Sequence, residues 1–309
     1  MDAAMVAQVR RFNRLVTQRV GALNDRFLAR ERPLGESRVL WEIGAAGCDL
    51  RTLRSRLDLD SGYLSRVLRS LEAGGLVTVA PSAADKRVHT ARLTAAGLAE
   101  RELLDRRSDR LAASLLEPLD PDQRDRLVAA MCEVERLLTA ALVQIAPIDP
   151  AHPHARHCLR TYFTELDRRF ASGFDPAHSI SAEDDELRPP AGLFLVATLH
   201  GEPVGCGALK FHAGAPAEIK RMWVDGAARG LGLGRRLLAE LEARAVAGGA
   251  SVVRLETNRT LVEAIALYRS AGYREVPAFN TEPYAHHWFE KRLSPVPSTR
   301  RTQASPPQI

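Results

Sequence analysis

The run Arg229-Gly-Leu-Gly-Leu-Gly234 constrains this chain more than any other feature. It lies between a strand-like segment, Glu218 to Val224, and a long amphipathic helical segment. Glycines at a strand-to-helix turn let the backbone approach a ligand closely, and the N–H groups of the first helical turn attract phosphate. A second strand, Val252 to Thr257, and a helix ending Leu267-Tyr268 follow. This order predicts an α/β unit with a pyrophosphate at the glycine turn.

Three phosphate-binding patterns compete for such a turn. A Walker loop requires a Lys-Ser or Lys-Thr pair after its last glycine, where this chain has Arg235-Arg236. A dinucleotide turn requires a third glycine where helix and strand pack, and that register falls on Leu237. Glu256 does lie about 20 residues on, where a ribose-binding acid is expected. The third pattern accounts for more residues. Arg229-x-x-Gly232-x-Gly234, the strand ending Met222-Trp223-Val224, Glu256-Thr-Asn258 and Ala266-Leu-Tyr-Arg-Ser-Ala-Gly-Tyr273 together resemble the GNAT family of N-acetyltransferases.

The resemblance implies an α/β acyl-CoA N-acyltransferase fold, a mostly antiparallel sheet whose two central strands run parallel and splay, with acetyl-CoA as co-substrate. It implies that backbone groups of Met222, Trp223 and Val224 bond the pantetheine arm. Arg229, Gly230, Gly232, Gly234 and Arg235 would hold the pyrophosphate, and Asn258 would contact the cofactor where the strands splay. Tyr268 aligns with the tyrosine that protonates the leaving thiolate, its alternative being a packed core tyrosine. Glu218 matches the general base of some members, its alternative being an ion pair with Lys220 or Arg259. The acceptor is an amine; Tyr162, Arg168, Lys220, Arg221, Tyr284, His286 and His287 are candidates for its side of the site, and the arginines suit a carboxylate-bearing amine.

The first half of the chain reads differently. Apolar positions repeat at helical spacing over residues 3 to 30 (Val6, Val9, Phe12, Leu15, Val16, Val20, Leu23), predicting an amphipathic helix with a stripe to be covered. Asp49 caps a short helix, Leu50 to Leu57, and Asp60 or Ser61 caps another that runs to Glu72 and stops at Gly74-Gly75. Two short helices joined by a tight turn are a helix-turn-helix unit. In the second, Leu64, Val67, Leu68 and Leu71 form the buried stripe, which turns Ser61, Tyr63, Ser65, Arg66 and Arg69 outward. Leu76 to Val79 and Val88 to Leu93 then read as a hairpin with Lys86 and Arg87 at its tip.

Ser61-Gly-Tyr-Leu-Ser-Arg66, Leu71-Glu-Ala-Gly-Gly-Leu-Val77, Asp85-Lys-Arg87 and Leu93-Thr-Ala-Ala-Gly97 resemble the MarR family of winged-helix regulators. The resemblance implies double-stranded DNA as partner, the Tyr63 helix in the major groove and Arg87 in the minor groove. It further implies a homodimer built from the first helix and two long helices, Thr94 to Leu116 and Asp122 to Leu142.

Charge alone does not decide for nucleic acid. Residues 1 to 143 hold 23 Lys+Arg against 20 Asp+Glu and residues 144 to 293 hold 18 of each, so the placement of arginines has to decide. No run of about 18 apolar residues occurs and the opening residues lack a signal-peptide pattern, so a cytoplasmic protein without membrane contact is expected. Cys48, Cys132, Cys158 and Cys206 are far apart and read as small core residues. His152, His154 and His157 lack a partner that completes a metal site, so no metal is expected.

The expected architecture is an α-rich winged helix-turn-helix domain over 1–143, an acetyltransferase domain over 144–293, and a disordered tail over 294–309. The expected function is a DNA-binding regulator fused to an N-acetyltransferase; the alternative is a regulator whose second domain senses acetyl-CoA without turnover.

Overall fold

The computed structural model describes residues 2–22, 28, 32–82, 85–180 and 182–294. Residues 23–27, 29 and 30 of the first predicted helix, residues 83 and 84 of the hairpin and the tail beyond Ser294 lie outside the described residues. The chain forms two compact units, Met1–Glu133 and a second from Val134 onward.

The first unit holds α1 (Ala3–Arg19), α2 (Leu34–Ile43), β1 (Cys48–Asp49), α3 (Leu50–Leu57), α4 (Ser61–Ala73), β2 (Val77–Pro81), β3 (His89–Leu93), α5 (Ala95–Leu116) and most of α6 (Pro121–Leu142). The predicted first helix stops at Arg19, before Gly21 takes a left-handed φ of 69°. Asp49 caps α3 by accepting from the Arg51 and Thr52 N–H groups, and Asp60 caps α4 through Tyr63 N–H. The buried stripe of α4 is Leu64, Val67, Leu68 and Leu71, packed with Leu40, Ile43 and Leu53. β1, β3 and β2 form a three-stranded antiparallel sheet in that order.

The Leu93-Thr-Ala-Ala-Gly97 segment joins that sheet to α5. The Thr94 hydroxyl accepts from Gly97 N–H at 3.0 Å and donates to the Gly75 carbonyl at 2.7 Å. A Cβ at Gly97 would sit 2.0 Å from the Leu76 carbonyl oxygen, so only glycine lets α5 start this close to β2. By contrast α1 buries none of its residues: Met5, Val9 and Leu15 are all more than half exposed.

The second unit takes the end of α6, then β4 (Gln144–Pro147), α7 (Pro153–Arg169), β5 (Gly192–Leu199), β6 (Glu202–His212), β7 (Ala215–Val224), α8 (Leu233–Ala247), β8 (Val252–Thr257), α9 (Val262–Ser270), β9 (Arg274–Val276) and β10 (His287–Arg292). The last turns of α6 belong here because Arg236 donates to the Ala140 carbonyl, and Arg136 donates to the Gly230 carbonyl. The sheet order is β4-β5-β6-β7-β8-β10-β9. The β5–β6 turn is His200-Gly201 with φ of 53° and 84°, the left-handed pair that matches strand twist in a two-residue hairpin.

Among the described strands only β7 and β8 pair in parallel, and their register is limited to Ala217 with Val253 and Glu218 with Arg254. Beyond those residues the strands diverge. One face of the sheet packs against α8 through Leu233, Leu237, Leu238 and Leu241, each nearly solvent-free and contributing about 1.5–3 kcal/mol by burial. The other face packs against α7 through Phe194, Val196, Cys206 and Trp223. Cys48, Cys158 and Cys206 are core residues, but Cys132 is exposed on α6, because the face of that helix that carries it is uncovered. β1 and β9, two and three residues long, were too short for a periodicity to announce them.

Candidate functional site

Where β7 and β8 part, a cavity opens. Its wall includes Met222 from β7, Thr257 and Asn258 at the end of β8, Tyr268 from α9, and Tyr162 from α7. Tyr268 is 5% exposed and packs against Tyr273 and Phe289. Burial, with smaller contributions from Tyr162 and Glu256, pushes its phenol well above the ordinary range, so the side chain holds its proton at neutral pH. Burial likewise pushes the Tyr162 phenol up to about 12.

The glycine turn lies at the N-terminus of α8. Gly230 and Gly232 have φ of 82° and 72°, and a Cβ on either would meet nothing within 4 Å, so their backbone faces open space. Gly234 differs: its Cβ would come within 3.3 Å of Leu267 on α9, so this glycine serves helix packing. The N–H groups of Leu233, Gly234 and Arg235 occupy the first helical turn, where no helical carbonyl precedes them. An open cradle of bare backbone with uncommitted donors fits a pyrophosphate.

The two arginines of the turn are already engaged. Arg229 donates to Glu165 Oε2 at 2.7 Å and to the Val224 carbonyl at 3.3 Å. Arg235 donates to Ser270 Oγ at 2.9 Å. Glu165 also accepts from Trp223 Nε1 at 3.0 Å and Arg169 Nη1 at 3.2 Å, so one α7 carboxylate fixes the end of β7 and the glycine turn. Burial pushes the Glu165 carboxyl up, but the hydrogen bonds from Arg229 and Trp223 outweigh it and its pKa lies below the ordinary value. Glu165 belongs to no motif, so no local pattern marks it in the sequence.

Asn258 faces the cavity, yet its side chain is occupied with structure. Nδ2 donates to the Tyr284 carbonyl at 2.7 Å while Oδ1 accepts from Thr260 N–H and Oγ1, each at 3.0 Å. Glu282, buried, does the same for the facing loop: it accepts from Ser179 Oγ at 2.9 Å, Ile180 N–H at 2.6 Å and Tyr284 N–H at 3.2 Å. These bonds hold the two loops that close the cavity.

Glu218 lies outside the cavity wall. Its carboxylate is 3.3 Å from Lys220 Nζ and 3.6 Å from His212 Nε2. Lys220, also buried, is ion-paired at the same time with Glu256, and both of these residues do line the cavity. Of the other acceptor-side candidates, Tyr162, Arg221 and Tyr284 are on the wall; Arg168, His286 and His287 are not. His287 is tied to Glu275 at 2.6 Å. Among the described residues no group of three or more His, Cys, Asp or Glu is arranged to hold a metal ion, and His152 instead caps α7 through His154 N–H. No described helix is long and apolar enough to cross a membrane.

In the first unit α4 exposes Ser61, Ser65, Arg66 and Arg69, while Tyr63 is half-buried. The Tyr63 hydroxyl fills the space above the Gly35 Cα, where a Cβ would lie 2.2 Å from it. Arg66 stands over the Tyr63 ring at 5.9 Å. Lys86 and Arg87 are exposed between β2 and β3, where Asp85 accepts from Arg87 N–H at 2.9 Å.

Residues 159–273 match the model of the acetyltransferase (GNAT) family, and residues 32–88 match that of the MarR family. An IAA acetyltransferase of Azospirillum brasilense is 42% identical over 122 residues, 39% of this chain and 78% of that protein. The chain belongs to the GNAT acetyltransferase family. An uncharacterised N-acetyltransferase of Schizosaccharomyces pombe is 38% identical over 134 residues, 40% of this chain and 79% of its own. A GNAT-family acetyltransferase structure from Staphylococcus aureus is 18% identical and covers 49% of this chain and 99% of that one, with a TM-score of 0.43.

The GNAT match takes in the cavity residues from Tyr162 to Tyr268 and stops short of Glu282 and Tyr284, and the MarR match spans α2 to the wing residue Arg87. The dinucleotide pattern is excluded on topology, because its sheet is mostly parallel and β7–β8 is the lone parallel pair among the described strands. Glu256, which suggested a ribose contact, is instead the partner of Lys220 in this GNAT domain.

Proposed function

We propose that the second unit transfers an acetyl group from acetyl-CoA to a primary amine, with Tyr268 as the proton donor to the leaving thiolate, and that the first unit binds double-stranded DNA. The supporting observation is the position of Tyr268: a buried, protonated phenol on the wall of the gap between β7 and β8, in the same unit as the open Gly230–Gly232 cradle. Acetyl-CoA, when bound, supplies the activated thioester. The chain's own groups then orient and move protons. Met222 to Val224 have no β8 partner and offer backbone bonds to an extended arm, and the first turn of α8 takes the pyrophosphate.

Acceptor deprotonation falls to the Glu218–Lys220–Glu256 cluster, which carries one more negative than positive charge. Glu256 is its member on the cavity wall, and Glu218 reaches the amine only through Lys220. Binding and orientation supply much of the acceleration, and an acid and a base add roughly 100- to 10,000-fold each.

For DNA, the supporting observation is the shared exposure of Arg66 and Arg69 on α4 and of Lys86 and Arg87 on the hairpin. The uncovered apolar stripe of α1 supports a homodimer through the winged-helix unit, since six large apolar side chains there are 39–66% exposed; light scattering at the dimer mass checks it. The overall test is thiol release from acetyl-CoA with a panel of amines. Amine-dependent release supports an enzyme; tight acetyl-CoA binding with no release for any amine supports the sensor reading instead.

A further inference from the structure

We propose that the acceptor amine carries a carboxylate and an apolar side group, and that Arg221 binds the carboxylate. This rests on the acetyltransferase reading of the same cavity and adds the class of its acceptor.

Arg221 is placed by a distortion of β7. Cys206 pairs with Trp223 and Ala208 with Lys220, so Arg221 and Met222 together stand opposite the single Gly207, which is a β-bulge. Gly207 has to be small there, because a Cβ would lie 2.8 Å from Leu241 Cδ1 and 2.9 Å from Met222 Sδ. Arg221 takes a left-handed φ of 56°, a backbone state that a residue with a side chain adopts only under strain. The backbone is held in that state by Cys206 Sγ, 3.3 Å from the Arg221 carbonyl. A bulge breaks the alternation of a strand and re-aims a side chain, and this one brings Arg221 onto the cavity wall.

The charges of the cavity then leave one cation over. Lys220 is consumed between Glu218 and Glu256, and Glu282 is consumed by Ser179, Ile180 and Tyr284. Among the described residues Arg221 has no carboxylate partner; its guanidinium stands 4.8 Å over the Phe163 ring. An aromatic face holds a guanidinium by its plane and leaves the N–H edge for an in-plane acceptor, the geometry that takes a carboxylate with two hydrogen bonds. Phe163, behind the wall, stacks on Phe174 at 5.6 Å, and Phe174 meets Tyr284 at 4.8 Å. Of these rings Phe174 and Tyr284 line the cavity, together with Phe170, and suit an apolar group.

A single acceptor therefore meets three surfaces: Arg221 for a carboxylate, the rings for an apolar group, and the net-negative Glu218–Lys220–Glu256 cluster for the amine. An apolar or aromatic amino acid has all three features. A lysine side chain or the N-terminus of a protein lacks the adjoining carboxylate.

The test uses two reaction products that differ only in the carboxylate, N-acetylphenylalanine and N-acetylphenethylamine, titrated calorimetrically into the full chain without acetyl-CoA. The carboxylate form should bind about 10- to 100-fold more tightly, as expected for one charge-assisted pair. Arg221→Gln should abolish that difference and Arg221→Lys should restore part of it. Arg221→Gly, which relieves the left-handed backbone, should also abolish the difference while melting no lower than the parent, which separates lost recognition from lost folding. Equal binding of the two compounds to the parent, absence of binding by both, or an unchanged ratio in Arg221→Gln overturns the proposal. Titration with acetyl-CoA is the separate arm: failure there with the carboxylate preference intact sinks the acetyltransferase reading and leaves the anion site.

Discussion

Glu218, the last β7 residue paired with β8, and Lys220, two positions beyond it, form an ion pair, 3.3 Å between Oε2 and Nζ. Lys220 also holds Glu256, so the two carboxylates share one ammonium and only Glu256 reaches the cavity. Glu256→Gln should therefore lower kcat/KM at neutral pH by about 100-fold or more, with partial recovery as pH rises and more of the amine is free base. Glu218→Gln should cost less, because Lys220 keeps its other partner. A pH profile of kcat/KM for both variants decides. A larger loss for Glu218→Gln than for Glu256→Gln would return the base to Glu218.

Gly232 should tolerate no β-branched residue, because its φ of 72° is left-handed and its backbone borders the open cradle. Gly232→Val is expected to reduce acetyl-CoA affinity by at least about tenfold while the far-ultraviolet spectrum stays that of the parent. Gly234→Ala, which presses on Leu267 Cδ2 at 3.3 Å, should instead show mainly in the melting temperature. Calorimetry and thermal melts on the two variants separate ligand approach from helix packing.

Arg66 and Arg87 should differ in kind. If Arg66 reads a base edge, Arg66→Ala costs about 1–3 kcal/mol on the specific site; if Arg87 meets phosphate, Arg87→Ala lowers the slope of log affinity against log salt by about one. Fluorescence anisotropy across a salt series measures both. Unchanged binding by both variants at every salt concentration would remove DNA from the account.

Tyr268 and Tyr273, buried, and Tyr162, half-buried on the cavity wall, predict alkaline sensitivity. Burial raises the phenols of Tyr162, to about 12, and of Tyr268 and Tyr273 further. A group whose folded pKa is raised adds stability that is complete below its unfolded pKa, about 10 for tyrosine, and is lost as pH climbs from there through the folded value. Denaturant midpoints should hold from neutral pH to about 10 and fall above it, with tyrosinate absorbance growing as the chain unfolds. Ionisation of nearly all the tyrosines at about pH 11 in a still-folded chain would contradict this burial.

The sequence made most of both units legible because their elements are long and periodic and their turns use glycine or capping side chains. The α4 stripe, the Asp49 and Asp60 caps and the order β7, glycine turn, α8, β8 follow from local patterns alone. What it hid depends on contacts across the fold. Glu165 reaches Arg229 over 64 residues and Glu282 reaches Ser179 over 103, so no local pattern marks either. Arg221 reads as an ordinary strand residue until the bulge against Gly207 turns it onto the cavity wall. Glu218 matches a motif position, whereas the place of Glu256 on the cavity wall depends on the parting of β7 and β8.

The most direct measurement is the single-turnover rate of acetyl transfer to one working amine by the parent chain and by Tyr268→Phe, with acetyl-CoA affinity measured on both. The variant keeps the ring contacts with Tyr273 and Phe289 and loses only the proton. The account predicts a rate about 10- to 1,000-fold lower with affinity nearly unchanged. Equal rates for the two proteins, with chemistry shown to limit the turnover, would contradict it and leave Tyr268 a packing residue.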